Sequence, residues 1–187
     1  MRLLAIETAT EACSVALYID GEVRERFDIV PKQHTQLALP WAEQLLAEAG
    51  IKKSQLDAIA VGVGPGAFTG VRLAVALVQG IALALDKPVL PVSTLAALAM
   101  QGADLKCDRI LAAIDARMGE IHCAEFRLDA DNLVDVVSGG EQRVHQRVAG
   151  KCLAVDVDRA RQRGDQTLAV AQRMRYRQRQ MALEPGG

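Results

Sequence analysis

Aromatic residues are scarce in this chain: one Trp, two Tyr and three Phe stand among 187 residues. Half of the residues are hydrophobic, so the core has to be built from Ala, Val, Leu and Ile. Histidine is as sparse. His34, His122 and His145 lie far apart and make no metal-ligand spacing, and no Ser–His–Asp or Cys–His arrangement follows from the order of residues. Cys13, Cys107, Cys123 and Cys152 form no Cys-x-x-Cys pair, which argues against a zinc site. With no leader-like segment ahead of them, a reduced cytoplasmic setting is expected. The formal net charge of −1 gives no global pull toward nucleic acid or a membrane surface. Long apolar runs are also missing. The longest, 73–85, holds Gln79 and is bounded by Arg72 and Asp86, short of the ~18–20 apolar residues that a bilayer span needs. A soluble protein with no membrane partner is expected.

What is present is a chain long enough for one or two small domains. Residues 3–6 read as a buried strand and 12–19 as a second, with Asp20-Gly21 as a hairpin turn. Residues 22–30 carry charges along an alternating pattern, which suits an edge strand, and Pro31 ends it. A helix over 34–49 closes at Gly50. Its apolar positions, among them Leu37, Ala38, Leu39, Trp41, Leu45 and Leu46, are too many for one core-facing stripe. A strand over 57–63 leads into a second helix over 69–86, whose interior polar residues are Arg72 and Gln79. Two helices this apolar point to an oligomer or complex interface, with plain core burial as the alternative. A strand over 88–92 follows, then a helix capped by Ser93 and a strand pair, 109–116 and 120–128.

An internal repeat emerges from this layout. Leu3-Leu4-Ala5-Ile6-Glu7 aligns with Leu111-Ala112-Ala113-Ile114-Asp115, and each is followed by a polar turn and a second strand. Two similar units facing a cleft are expected, unless two hydrophobic hairpins merely look alike. Glu7 and Asp115 end equivalent strands, where paired carboxylates can hold Mg²⁺ or reach phosphates through water. Thr8 and Thr10 offer hydroxyl donors. The alternative is that both carboxylates only cap turns.

Between a strand and a helix lies Gly64-Pro65-Gly66-Ala67-Phe68-Thr69-Gly70-Val71-Arg72. Glycines in that place let backbone N–H groups approach an anion at a helix N-terminus. No Gly-Lys-Ser/Thr follows, so the loop is not a Walker A motif. Gly64 and Gly66 are thus phosphate-cradle candidates, and a tight turn that seats the helix explains them equally well.

The segments Leu4-Ala5-Ile6-Glu7-Thr8-Ala9-Thr10, His34-Thr35-Gln36, the glycine loop, Pro91-Val92-Ser93-Thr94-Leu95 and Ile114-Asp115-Ala116-Arg117-Met118-Gly119-Glu120 together closely resemble the bacterial TsaB (YeaZ) family. The resemblance runs from Met1 to about Val148. It implies an α/β fold of the actin-like, Hsp70-like ATPase kind (ribonuclease H-like), made of two duplicated mixed-sheet domains. The expected units are 1–102, a partial second domain over 103–148, and a divergent segment over 149–187. It also implies a non-catalytic partner of a TsaD-like catalytic subunit and a TsaE-like ATPase. That system transfers a threonylcarbamoyl group to N6 of adenosine 37 in tRNAs reading codons that begin with A. Contact with tRNA would be indirect, through the complex. The chain alone would be a homodimer. No cofactor would be required, with ATP or ADP a candidate at the complex interface. Family members associate through their first two helices, so His34, Leu37 and Ala38 become interface candidates.

The chain also departs from the family pattern. Glu7 stands where Asp is usual, and Ala67 where Ser is usual. TsaD-like proteins carry a His-x-x-x-His metal pair where this chain reads Ser93-Thr94-Leu95-Ala96-Ala97, which leaves metal-dependent chemistry without ligands. Residues 151–187 hold eight Lys/Arg against four Asp/Glu, +4, leaving −5 for the rest. An altered reading frame, a basic arm on tRNA phosphates and a helical tail each account for that change. Two other functions compete with the scaffold reading. One is an actin-like ATPase or phosphotransferase using Glu7 and Asp115. The other is a peptidase, disfavoured by the missing histidine pair.

Overall fold

A computed structural model describes residues 1–101, 109–117, 120–128, 134–136, 142–144 and 153–156. Its first sheet begins with three strands that follow one another: β1 (Arg2–Glu7), β2 (Ala12–Ile19) and β3 (Glu22–Ile29). They pair antiparallel, Ile6 opposite Val15 and Ala16 opposite Glu25. At the β2–β3 turn, Asp20 and Gly21 both take positive φ, as a two-residue hairpin of type I′ demands. α1 (His34–Glu48) then crosses the sheet, and Gly50 follows it at φ +66°. β4 (Ala58–Gly62), α2 (Phe68–Leu85), β5 (Val89–Val92) and α3 (Thr94–Met100) complete the first half. β4 runs parallel to β1 and β5 parallel to β4, which gives the order β3-β2-β1-β4-β5. Charged β3 lies at an edge, as expected.

The second sheet is built from β6 (Arg109–Arg117), β7 (Glu120–Leu128), β8 (Val134–Val136), β9 (Gln142–Val144) and β10 (Leu153–Asp156). β6 and β7 form an antiparallel hairpin, and β10 lies parallel to β6. This repeats the pairing of β1 with β2 and β4. Leu3 faces Ala58 in the first sheet, and Leu111 faces Ala154 in the second. The fold is therefore α/β with two mixed sheets, the actin-like arrangement that the resemblance implies. Apart from Leu153–Asp156, which joins the second sheet, the 149–187 segment lies outside the described residues.

Strand periodicity decides what each face of the first sheet receives, because alternate residues point to opposite sides. Leu3 and Ala5 of β1, Ala16 of β2 and Ala58 and Ala60 of β4 turn to one face. Leu4, Ile6, Val15, Leu17, Ile59 and Val61 turn to the other. The second face takes α1 and α2. The first takes α3, whose residues are buried along its whole length between this sheet and Ile110, Ala112 and Phe126 of the second. Alanines on that face let the short helix sit close. Ser93 caps it, its Oγ accepting from the Ala96 N–H at 3.3 Å, as expected from the sequence.

The α1 interface expectation needs one correction. Ala38 is wholly buried, in line with Ala42, Leu45 and Leu46 toward the sheet. The i, i+4 and i, i+3 spacing that looked too broad is mostly a core-facing stripe. Leu39 remains substantially exposed, while His34 and Leu37 are half-buried.

Ala60→Leu forces extra methylenes against α3 and is expected to destabilise the fold by about 1–3 kcal/mol. Ala47→Leu, on the exposed side of α1, should change stability by less than about 0.5 kcal/mol. Urea unfolding of the two variants checks the contrast.

Candidate functional site

Glu7 is the last residue of β1, and its side chain is only 4% exposed. Its Oε1 accepts from the Ala9 N–H at 2.6 Å and its Oε2 from the Thr94 hydroxyl at 3.2 Å. Burial raises the Glu7 pKa above the ordinary 4.5, while the Ala9 N–H, the Thr94 hydroxyl and the Thr8 backbone pull it back. Desolvation disfavours the charged form, and hydrogen bonds to the carboxylate favour it. Here burial is the larger influence.

Thr8 is fully buried beside it, and its hydroxyl donates to the Gly70 carbonyl at 2.7 Å. That commits the only hydrogen the hydroxyl has to give. The Thr10 hydroxyl accepts from the Ala12 N–H at 3.2 Å, as in an ST-turn. The glycine loop lies directly on this turn. Gly64 adopts φ +88°, open to glycine and strained for other residues. At Gly66 a Cβ would meet the Ala9 carbonyl, and at Gly70 the Thr8 carbonyl. The Ala67 N–H donates to the Ala9 oxygen at 2.6 Å, and the Thr94 N–H to the Gly64 oxygen at 2.8 Å.

The structure thus brings Glu7, Thr8, Thr10, Gly64 and Gly66 together around one turn. Of the two readings open to the glycines, the geometry exhibits the tight one: the loop grips the turn, and the turn's polar groups answer it. Thr94 and Gly62 belong to the same cluster and were missed from sequence. Thr94 carried a signal, a hydroxyl next to the Ser93 cap, but its partner is 87 residues away in sequence. Asp115 lies on β6, its backbone opposite Ile121. Its side chain falls outside the described residues. Among the described residues, no group of three or more His, Cys, Asp or Glu could hold a metal ion. His34 opens α1, and its Nε2 is buried without a hydrogen-bond partner among the described residues.

α2 presents a second feature. Gly70, Ala74, Val78 and Ala82 face the sheet at every fourth position. Phe68, Arg72, Ala76, Gly80, Leu83 and Ala84 are exposed, Leu83 at 87% and Phe68 at 72%. The Arg72 guanidinium stacks 3.2 Å from the centre of the Phe68 ring, a cation–π contact. By length and composition alone this 18-residue helix is apolar enough to cross a membrane. Its packed stripe against β4, however, makes it a helix of the sheet.

The raised Glu7 pKa sets the sign of a pH effect. The folded state holds this proton more tightly than the unfolded state, so the associated stability is present at low pH and lost as pH rises through the folded pKa. Glu7→Gln should therefore gain melting temperature relative to the unsubstituted chain as pH rises from 4.5 toward neutrality. Parallel melts of both chains across that range check the trend, and a pH-independent difference contradicts it.

Comparison with known proteins gives a consistent set of relatives. The family model described as "TsaD: tRNA N6-adenosine threonylcarbamoyltransferase" matches residues 28–171, past the Val148 at which the resemblance was expected to end. The "tRNA threonylcarbamoyladenosine biosynthesis protein TsaB" of Escherichia coli K12 is 49% identical over 135 residues, covering 71% of this chain and 58% of that protein. The protein of that name from Haemophilus influenzae is 43% identical over 126 residues, covering 67% and 53%. The chain thus spans less than two thirds of the length of these relatives. The solved structure of "YeaZ from Pseudomonas aeruginosa" superposes with a TM-score of 0.74 at 45% identity, covering 80% of this chain and 70% of that one. On the family match and these relatives together, the chain belongs to this family and, within it, to the TsaB (YeaZ) group.

Proposed function

We propose that this chain is a scaffold subunit in the formation of threonylcarbamoyladenosine on tRNA, acting by association and not by chemistry of its own. The observation that carries the reading is the exposed apolar face of α2. Leu83 and Phe68 stand out from it, and Ala76, Gly80 and Ala84 leave space beside them; a Cβ added at Gly80 would touch nothing. An exposed helix face this rich in apolar residues, interrupted by Arg72 and Gln79, is the kind of surface that binds another protein, and small residues allow a partner helix to approach closely. The partner proposed is a TsaD-like catalytic subunit, with a TsaE-like ATPase completing the assembly and a homodimer forming when the chain is alone. The reaction served is transfer of a threonylcarbamoyl group to N6 of adenosine 37 of tRNAs reading codons that begin with A. Contact with tRNA would come through the complex, in the cytoplasm. The relatives' names support this reading. We also infer a first actin-like unit over 1–102 and a second beginning at 103, from the repeated strand pairing.

The competing reading, an ATPase or phosphotransferase centred on Glu7 and Asp115, gains nothing from the Glu7 geometry, because that carboxylate already serves internal donors. ATP or ADP at the interface of the complex remains part of the proposal, with no nucleotide required by the chain alone.

Leu83→Glu places a charge at the most exposed apolar side chain of the α2 face, near the end of the helix. It is expected to weaken co-purification with the TsaD homologue by about tenfold or more, a cost of roughly 1.4 kcal/mol, while leaving the melting temperature nearly unchanged. A tRNA modification assay with and without this chain tests the function itself. Equal modification without the chain sinks the scaffold reading. ATP turnover by the chain alone, abolished in Glu7→Ala, would establish the competing one.

A further inference from the structure

Gly62 and Glu7 fit together as a pair. Gly62 ends β4, one strand over from β1, and is buried. A Cβ at this position would coincide with the Glu7 carboxylate. The φ of Gly62 is not positive, so backbone conformation does not call for glycine here. What the missing side chain provides is the space that the longer acidic side chain fills.

From that space Glu7 reaches both flanks of the glycine loop. On one side its Oε1 holds the Ala9 N–H, and the Ala9 carbonyl holds the N–H of Ala67, the cap residue of α2. On the other side its Oε2 holds the Thr94 hydroxyl, while the Thr94 N–H holds the Gly64 carbonyl. One carboxylate therefore stands behind both hydrogen bonds that fix residues 64 and 67. Immediately beyond them α2 begins, with Phe68 and Arg72 in its first turns.

We propose that Glu7 is a positioning residue: seated in the room left by Gly62, its side chain sets the path of the loop over 63–67 and so fixes where α2 presents its exposed face. The inference rests on the reading of that face as the association surface. Glu7 neither binds a ligand nor reacts in this role. Its size and its two accepted hydrogen bonds are what matter, and the glycine at 62 is its steric complement.

The test uses the full chain in five forms: unsubstituted, Gly62→Ala, Glu7→Ala, the double variant of these two, and Glu7→Gln. Melting temperature is read for each, together with association, by sedimentation for the homodimer and by titration with the TsaD homologue. Gly62→Ala should lower the melting temperature by about 5 °C or more when Glu7 is present, and by less than about half of that when position 7 is Ala. Glu7→Ala should weaken association about tenfold, and Glu7→Gln, of equal size, with its oxygen accepting from the Ala9 N–H and its NH2 donating to a rotated Thr94 hydroxyl, should bring it back to within about twofold. An equal effect of Gly62→Ala in both backgrounds overturns the proposal, and so does unweakened association of Glu7→Ala. If Glu7→Ala does not fold, Glu7→Asp replaces it. Its carboxylate is drawn back by one methylene, so it should relieve Gly62→Ala, and absence of relief is equally fatal. If the unsubstituted chain associates with neither partner, the functional reading fails, and the melting cycle still decides the Glu7–Gly62 pairing.

Discussion

Two backbone segments touch without side chains between them: the turn after β1 and the loop after β4. Gly66 and Gly70 bring the loop against the carbonyls of Ala9 and Thr8, two hydrogen bonds close the contact, from Thr8 to Gly70 and from Ala67 to Ala9, and a third, from Thr94 to Gly64, ties the start of α3 to the same loop. Both α2 and α3 start within a few residues of it. Helix placement in this half of the molecule is thus tied to one close approach. A side chain at either glycine has no direction in which to yield, since the opposing atoms are backbone. Buried polar contacts of this sort are stable when every member is paired, and Glu7, Thr8 and Thr94 each have their partners.

The first sheet distributes size unequally between its faces, and the layers follow from that. The α3 face carries Ala5, Ala16, Ala58 and Ala60, while the opposite face carries Leu4, Ile6, Val15, Leu17, Ile59 and Val61. Small residues admit the short, wholly buried α3 between the sheets. Large ones meet α1 and α2, which bring the small Ala38, Ala42, Ala74 and Ala82 to the contact beside the larger Leu45, Leu46 and Val78. Interiors are packed to near-crystalline density, and this matching of large with small accomplishes it with few aromatic rings. It also explains why α2 keeps so much apolar surface. The sheet covers only one narrow stripe of it.

Much of the architecture was legible from the sequence because it depends on local signals. Asp20-Gly21 set the hairpin, charges marked β3 as an edge, Gly50 followed the end of α1, and Ser93 announced α3. The repeat of Leu3–Glu7 in 111–115 was legible too, and it reappears as a repeated parallel partner, Ala58 in one sheet and Ala154 in the other. What stayed hidden depends on distance through space. Ala38 was an interface candidate on a helix with too many apolar positions for one stripe, and only the packing of α1 on the sheet shows it turned inward. Neither Thr94, within the Pro91–Leu95 segment, nor Gly62, ahead of the glycine loop, stood out as a site residue, because their importance comes from a carboxylate on another strand. Composition alone shows a glycine but not which neighbour occupies the place of its side chain.

The same carboxylate bears on what kind of protein this is. A carboxylate that serves Mg²⁺ or a phosphate through water has to be ionised and reachable, as oxygen ligands to hard cations are. Glu7 is neither solvent-facing nor unengaged: burial favours its neutral form, and its two oxygens already accept from Ala9 and Thr94. A ligand that displaced either the Ala9 N–H or the Thr94 hydroxyl would leave a buried donor unpaired, at a cost of about 1–3 kcal/mol. The Thr8 hydroxyl would add to that cost, because its hydrogen already belongs to Gly70. Such a cluster is suited to holding a shape. The shape it holds is the start of α2, whose far side is the most exposed apolar surface among the described residues. With its polar groups paired internally, the cluster holds the start of α2 against the turn after β1.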